Sequence, residues 1–213
     1  MDARLKVPLD KYADEIREIK ERTNLKLNAH VGFIDEKDLE WVRYVDAVSL
    51  DFVADDDVIR RVYRINKTVD DYLKVLDLLT EAGIRVAPHV TIGLDFGRIH
   101  WEYRAIDLLV KYPIDVLVLD VLIPTKGGTE MDNVPKPGVE ESLDVVRYAR
   151  DRFDGGEISV GCMRPLGGRW RLDFDRGGAV LAGVDRLTNP PRKVIEWAKT
   201  IRDVEVIYEC CVM

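Results

Sequence analysis

Three short runs with the period of a β-strand carry polar residues at every second position, and segments with a helical pattern separate them. In Lys26-Leu27-Asn28-Ala29-His30 the even positions are polar; in Ala47-Val48-Ser49-Leu50-Asp51-Phe52, Ser and Asp alternate with Val, Leu and Phe. In Val86-Ala87-Pro88-His89-Val90-Thr91-Ile92, His89 and Thr91 alternate with Val86, Val90 and Ile92. Intervening helices imply parallel strands joined by right-handed crossovers, with helices covering at least one sheet face. A strand that is apolar toward the helices and polar on its other face suits a barrel or cleft lined for a ligand.

The rhythm continues along the chain. Helical patterns are predicted over residues 9–22, 36–42, 58–63, 69–82, 101–111, 137–153, 174–181 and 192–202. Strands are predicted over 25–31, 47–52, 84–93, 116–123, 158–163 and 184–187, with residues 204–208 as a final strand or packed tail. Gly83 stands where a helix C-terminus wants a left-handed residue. The near-continuous apolar run at 116–123 reads as a central parallel strand. No linker or low-complexity tract interrupts this pattern, so residues 1–213 read as a single domain. The fold class is α/β: an incomplete parallel (β/α) TIM-type barrel with about six βα units. A complete eightfold barrel typically takes roughly 250 residues, against 213 here.

Composition narrows the partners. A net charge of −7 with no Lys/Arg tract argues against nucleic acid or an anionic membrane surface as the main partner. No apolar run has the length of a membrane span and the first residues do not begin a signal peptide, so a cytoplasmic protein with a small-molecule substrate is expected. Three cysteines do not make a secreted disulfide framework. The absence of glutamine beside abundant charge matches the bias of thermophilic proteins.

Chemistry-bearing residues concentrate after the strands, where open α/β sheets and barrels both place their sites. His30, Asp51 and His89 fall near the ends of three successive strands and converge on one rim if the sheet is parallel and in register. Such a set can contact a ligand, move protons or ligate a divalent metal. Asp95 sits between Gly93 and Gly97 in a tight loop. Thr125 opens a glycine-containing loop that lacks the spacing of a phosphate-binding P-loop. Arg164 and Arg169 lie in the glycine- and proline-rich stretch after the strand at 158–163, where guanidinium forks suit carboxylate or phosphate. Cys162, Cys210 and Cys211 are three thiols that could serve a metal or remain free.

Val48-Ser49-Leu50-Asp51, Ile65-Asn66-Lys67-Thr68-Val69-Asp70-Asp71-Tyr72, the segment from Ile84 to Leu94, and Leu122-Ile123-Pro124-Thr125 follow one another in a recognisable order. With Gly161-Cys162-Met163-Arg164-Pro165 and Ala182-Gly183-Val184-Asp185 they make residues 47–190 resemble the radical S-adenosylmethionine superfamily, in particular biotin synthase-like members including archaeal homologues. The resemblance implies a barrel holding S-adenosylmethionine and substrate, with a [4Fe-4S] cluster. It implies sulfur insertion or another step of cofactor biosynthesis, and makes Asp51 the match of a substrate-contacting carboxylate. The Gly161 region matches a strand that contributes an arginine, here at a different position.

The family's Cys-x-x-x-Cys-x-x-Cys motif and its Gly-Gly-Glu-like segment have no counterpart here. The six units then correspond to the third to eighth of a barrel, and the cluster is not expected on this chain. The first two units would come from a mis-assigned start, a split gene or a truncation. A non-catalytic remnant that binds a ligand or partner, and a metal-dependent aldolase- or hydrolase-like barrel using His30, Asp51 and His89, are the alternatives. Losing two strands would leave open edges, which calls for a homodimer, a partner subunit or the chain's own tail at the gap.

Overall fold

A computed structural model describes residues 5–124, 130–177 and 181–213. Six strands form one sheet in the order β1-β2-β3-β4-β5-β6: β1 (Asn28–Val31), β2 (Ala47–Asp51), β3 (Val86–Ile92), β4 (Val116–Val121), β5 (Glu157–Val160) and β6 (Arg186–Leu187). Every adjacent pair is parallel. The sheet does not close: β1 and β6 are its two ends. This is the incomplete (β/α) barrel expected from the strand rhythm.

Helices fill each crossover: α1 (Ala13–Arg22), α2 (Leu39–Val42), α3 (Asp56–Val58), α4 (Val69–Glu81), α5 (Glu102–Leu109), α6 (Val139–Arg152), α7 (Gly168–Arg176) and α8 (Arg192–Ala198). Local chemistry sets their ends. Asp71 accepts a hydrogen bond from the Thr68 backbone N–H at 3.0 Å, capping α4. Gly83, at φ +70°, ends α4 in the left-handed conformation that costs glycine little.

Period-two parity sorts the side chains. Val48, Leu50, Val86 and Val90 join the large core between sheet and helices, together with Leu76, Leu79, Ile106 and Leu109. A second cluster, on the concave face, holds Ala47, Ala87, Val116 and Val118 with Val212 from the C-terminus. Every residue of β4 is buried, because helices cover one side and the tail covers the other. Each such aliphatic side chain contributes about 1.5–3 kcal/mol on burial.

Two elements depart from the sequence pattern. The helix predicted over 174–181 starts earlier, at Gly168. Trp170 stacks on Phe174 with centroids 4.9 Å apart, and Arg171 pairs with Asp175 at 2.7 Å, so one turn of helix is fixed by contacts ahead of the predicted start. Residues 204–208 form no strand: Val206, Ile207 and Tyr208 are exposed. The packed part of the tail is instead Cys211 to Met213, where the Val212 carbonyl accepts from Arg85 Nη1 at 2.8 Å. No helix among the described residues is long and apolar enough to cross a membrane.

Candidate functional site

The concave face carries four titratable side chains from four adjacent strands. Register pairs Asp51 of β2 with His89 of β3, and His30 of β1 with Ser49 of β2. Asp120 of β4 lies beside Thr91 of β3, one step beyond His89. Since partners across parallel strands share a face, His30, Ser49, Asp51, His89 and Asp120 all point away from the helices.

Their contacts define distinct roles. His30 Nε2 lies 3.3 Å from Asp51 Oδ1, and the His30 and His89 rings are 5.2 Å apart. The hydrogen bond to Asp51 raises the His30 pKa against the effect of burial. Burial pulls Asp51 upward, but the hydrogen bond and charge of His30 outweigh it and hold the carboxyl below its ordinary range. His89 is buried, and burial together with the neighbouring His30 charge depresses it to about 4. Its Nδ1 lies 3.0 Å from the Ala87 carbonyl, so Nδ1–H donates there and Nε2 is the acceptor. That Nε2 meets Cys211 Sγ at 3.8 Å. In an NMR titration the His89 ring should therefore stay a neutral Nδ1–H tautomer down to about pH 4. His30 should take up its proton above the ordinary histidine value of about 6.5. A single shared midpoint for the two rings would contradict this electrostatic picture.

Asp120 was not singled out by the sequence, because it is one carboxylate inside an otherwise apolar run. It is 6% exposed, and burial raises its pKa to about 7, opposed by the hydrogen bond it accepts from Met163 N–H at 2.9 Å. Gly161 makes room for it: a Cβ there would lie 2.3 Å from Asp120 Oδ1 and 2.9 Å from Val118 Cγ1. Gly161→Ala is expected to destabilise the fold by about 1–3 kcal/mol through overpacking, and to shift the Asp120 titration. An unchanged denaturation midpoint would show that the carboxyl can step aside.

A neutral imidazole and a carboxyl titrating near neutrality on one face can each hand a proton to a ligand or take one from it. Tyr63 and Tyr72 pack with the core between sheet and helices, within reach of the Asp51 charge; burial and that charge raise both phenols, which therefore stay protonated.

The other sequence candidates are placed differently. Asp95 is 1% exposed and sits among Arg61, Arg98 and His100 at 2.9–3.0 Å, so its carboxylate organises the loop after β3. Arg164 is fully buried, and its fork is taken by Asp175 and by the Gly161 and Thr188 carbonyls. Arg169 is exposed on the first turn of α7 and pairs with Asp173. These guanidiniums serve the protein's own carboxylates, because α7 begins early enough to bring Asp175 under Arg164. Thr125 lies outside the described residues.

Cys162 and Cys210 are exposed and Cys211 is partly buried. Burial and the nearby Asp120 push the Cys211 thiol up to about 12, which keeps it a thiol at neutral pH. Among the described residues, no group of three or more His, Cys, Asp or Glu side chains is arranged to hold a metal ion. Cys162, Cys210 and Cys211, with one thiol partly buried and held protonated, are not a donor set that fits an iron–sulfur cluster.

No protein-family model matches the sequence, and no curated protein matches it. Solved structures do. Methylornithine synthase is similar with a TM-score of 0.60 at 14% identity, over 86% of this chain and 53% of that one. Elp3 from the archaeon Methanocaldococcus infernus, solved with its N-terminus deleted, is similar with a TM-score of 0.58 at 16% identity, over 88% of this chain and 44% of that one. Both belong to the radical S-adenosylmethionine superfamily, and at such identities the likeness is one of fold. This chain spans about half the length of each.

Proposed function

We propose that this chain is the ligand-holding core of a radical S-adenosylmethionine-type enzyme of biotin or lipoyl synthase-like chemistry, serving cofactor biosynthesis or sulfur insertion. In this reading the iron–sulfur cluster is held by residues outside these 213. The observation that carries it is the convergence of His30, Asp51, His89 and Asp120 on one concave face, with their proton affinities driven apart. Such separation is typical of sites that bind and protonate ligands, and is rarer on inert surfaces. Asp51 and His30 form the charged end of the site, while His89 and Asp120 exchange protons with the bound molecule. Among the described residues no further strand pairs with the outer edges of β1 and β6, which favours a second copy or a partner subunit at the open side.

Two measurements test the reading. A panel of amino acids and S-adenosylmethionine, followed through the His30 and His89 ring resonances, should include a saturable binder whose effect is lost in Asp51→Asn. If no member moves either ring, the concave face is not the ligand site. Separately, the chain reconstituted anaerobically with iron and sulfide should form no 5′-deoxyadenosine from S-adenosylmethionine. Product above a protein-free control would place a working cluster on this chain and overturn that part of the proposal.

A further inference from the structure

At the far end of the concave face, two buried polar atoms stand without partners. Ser159 of β5 is paired in register with Val118 of β4 on one side and with Arg186 of β6 on the other. Val118 belongs to the concave cluster, so Ser159 and Arg186 share its face. Ser159 is fully buried, yet its Oγ has no hydrogen-bond partner; Arg186 Nη1 is likewise buried and unpartnered. The other arm of the same guanidinium, Nη2, is anchored to Glu157 Oε2 at 2.5 Å. Buried hydroxyls and guanidinium N–H groups nearly always find acceptors, and two adjacent exceptions on a candidate ligand face call for one.

We propose that Ser159 and Arg186 form a binding site for the carboxylate of the small molecule held on the concave face. One carboxylate oxygen accepts from Arg186 Nη1, and the other accepts from Ser159 Oγ. A carboxylate suits the pair better than a phosphate. Glu157 already offsets the guanidinium charge, so a dianion would be repelled where a monoanion with two planar acceptors is held. Glu157 acts as the positioning residue: it fixes Nη2 and so aims Nη1. Ser159 forms the floor of the site, and Arg186, 24% exposed, forms its mouth. The rest of the ligand points toward Asp120 and His89, where it takes the place of Val212, which packs on Val118 in the unliganded chain, a placement that rests on the functional reading above. Neither residue stood out in the sequence, where Arg164 and Arg169 carried the arginine signal. Only the register of the two-residue strand β6 turns Arg186 inward.

The test uses pentanoate as the probe and pentanamide as its uncharged counterpart, with the full chain labelled for arginine Nε–Hε and histidine ring NMR. Pentanoate should shift the Arg186 side-chain resonance saturably, and pentanamide should shift it far less. Arg186→Gln should weaken pentanoate binding by about tenfold or more, the loss of a charge-assisted hydrogen bond. Ser159→Ala should weaken it as well. The same variant should raise the thermal midpoint of the unliganded protein, because it removes a buried hydroxyl that has no partner. That opposed pair of effects keeps the test decisive should Arg186→Gln fail to fold. Equal binding of pentanamide would overturn the carboxylate assignment. Shifts confined to His30 and His89 would overturn this site while leaving the functional reading standing. A Ser159→Ala variant that loses stability would show that the hydroxyl serves the fold and would overturn the proposal.

Discussion

Asp175→Ala is expected to cost about 3–5 kcal/mol of folding stability, enough to unfold much of the population at physiological temperature. Asp175 is fully buried and pairs with two buried guanidiniums, Arg164 at 2.8 Å and Arg171 at 2.7 Å. Burial lowers the Arg164 pKa, and Asp175 is the main group that offsets this. Removing the carboxylate leaves two cations in a region from which water is excluded. The network also joins separate segments, since Arg164 reaches the Thr188 carbonyl and Arg171 the Asn189 carbonyl. It thus ties the loop after β5, the helix α7 and the end of β6 together. Replacing the pair instead of breaking it should hurt far less. Arg164→Met with Asp175→Leu exchanges desolvated charge for apolar packing, though it leaves Arg171 as the one cation still to be accommodated. Urea denaturation of the single and double variants measures the difference. A double variant no more stable than Asp175→Ala would mean that the carbonyl contacts, and not charge compensation, hold this corner.

What the sequence made legible follows from period two. The alternation in β2 and β3 is enough to send Val48, Leu50, Val86 and Val90 toward the helices, as the large core records, and Asp51 and His89, which are paired in register, to the other face. Alternation cannot reveal a lone carboxylate in a strand buried on both faces, which is why Asp120 passed as part of an apolar run. Ser159 and Arg186 depend on register between strands of four and two residues, and no local pattern encodes that. Gly167 and Gly168 read as loop residues, and both do have positive φ. The helix that follows is set by Trp170–Phe174 stacking and the buried Arg171–Asp175 pair, which are visible only once the chain is folded. The apolar residues at 204–208 suggested packing by composition. The fold instead uses Val212, the one tail residue with no exposed surface, against Ala47, Ala87, Val116 and Val118.

The contributions of Asp120 and His89 to the pH dependence of stability should offset each other in the native chain and separate in opposite directions when either group is removed. Asp120 has its pKa raised from 3.8 to about 7. Its folded form therefore holds a proton that the unfolded chain has released, so its contribution is full below about pH 3.8 and is lost as pH rises toward 7. His89 is depressed from 6.5 to about 4. The unfolded chain binds a proton there that the folded one does not, so its contribution is present above 6.5 and lost as pH falls toward 4. Between about pH 4.5 and 6.5 one group makes stability fall with pH while the other makes it rise. The proton counts of this pair in the folded and unfolded states nearly match, and their slopes cancel. In physical terms, each group takes its uncharged form on folding, because burial penalises the charged one. Asp120→Asn keeps the Met163 N–H acceptor but removes one slope. Relative to the native chain, its stability should climb by about 2 kcal/mol across that interval, at no more than about 1.4 kcal/mol per pH unit. His89→Gln should fall by a similar amount over the same range. Chemical denaturation of the three proteins at half-unit pH steps would show the divergence. Parallel profiles for all three would mean that neither group changes its protonation on folding, and the acid–base pairing on the concave face would have to be abandoned.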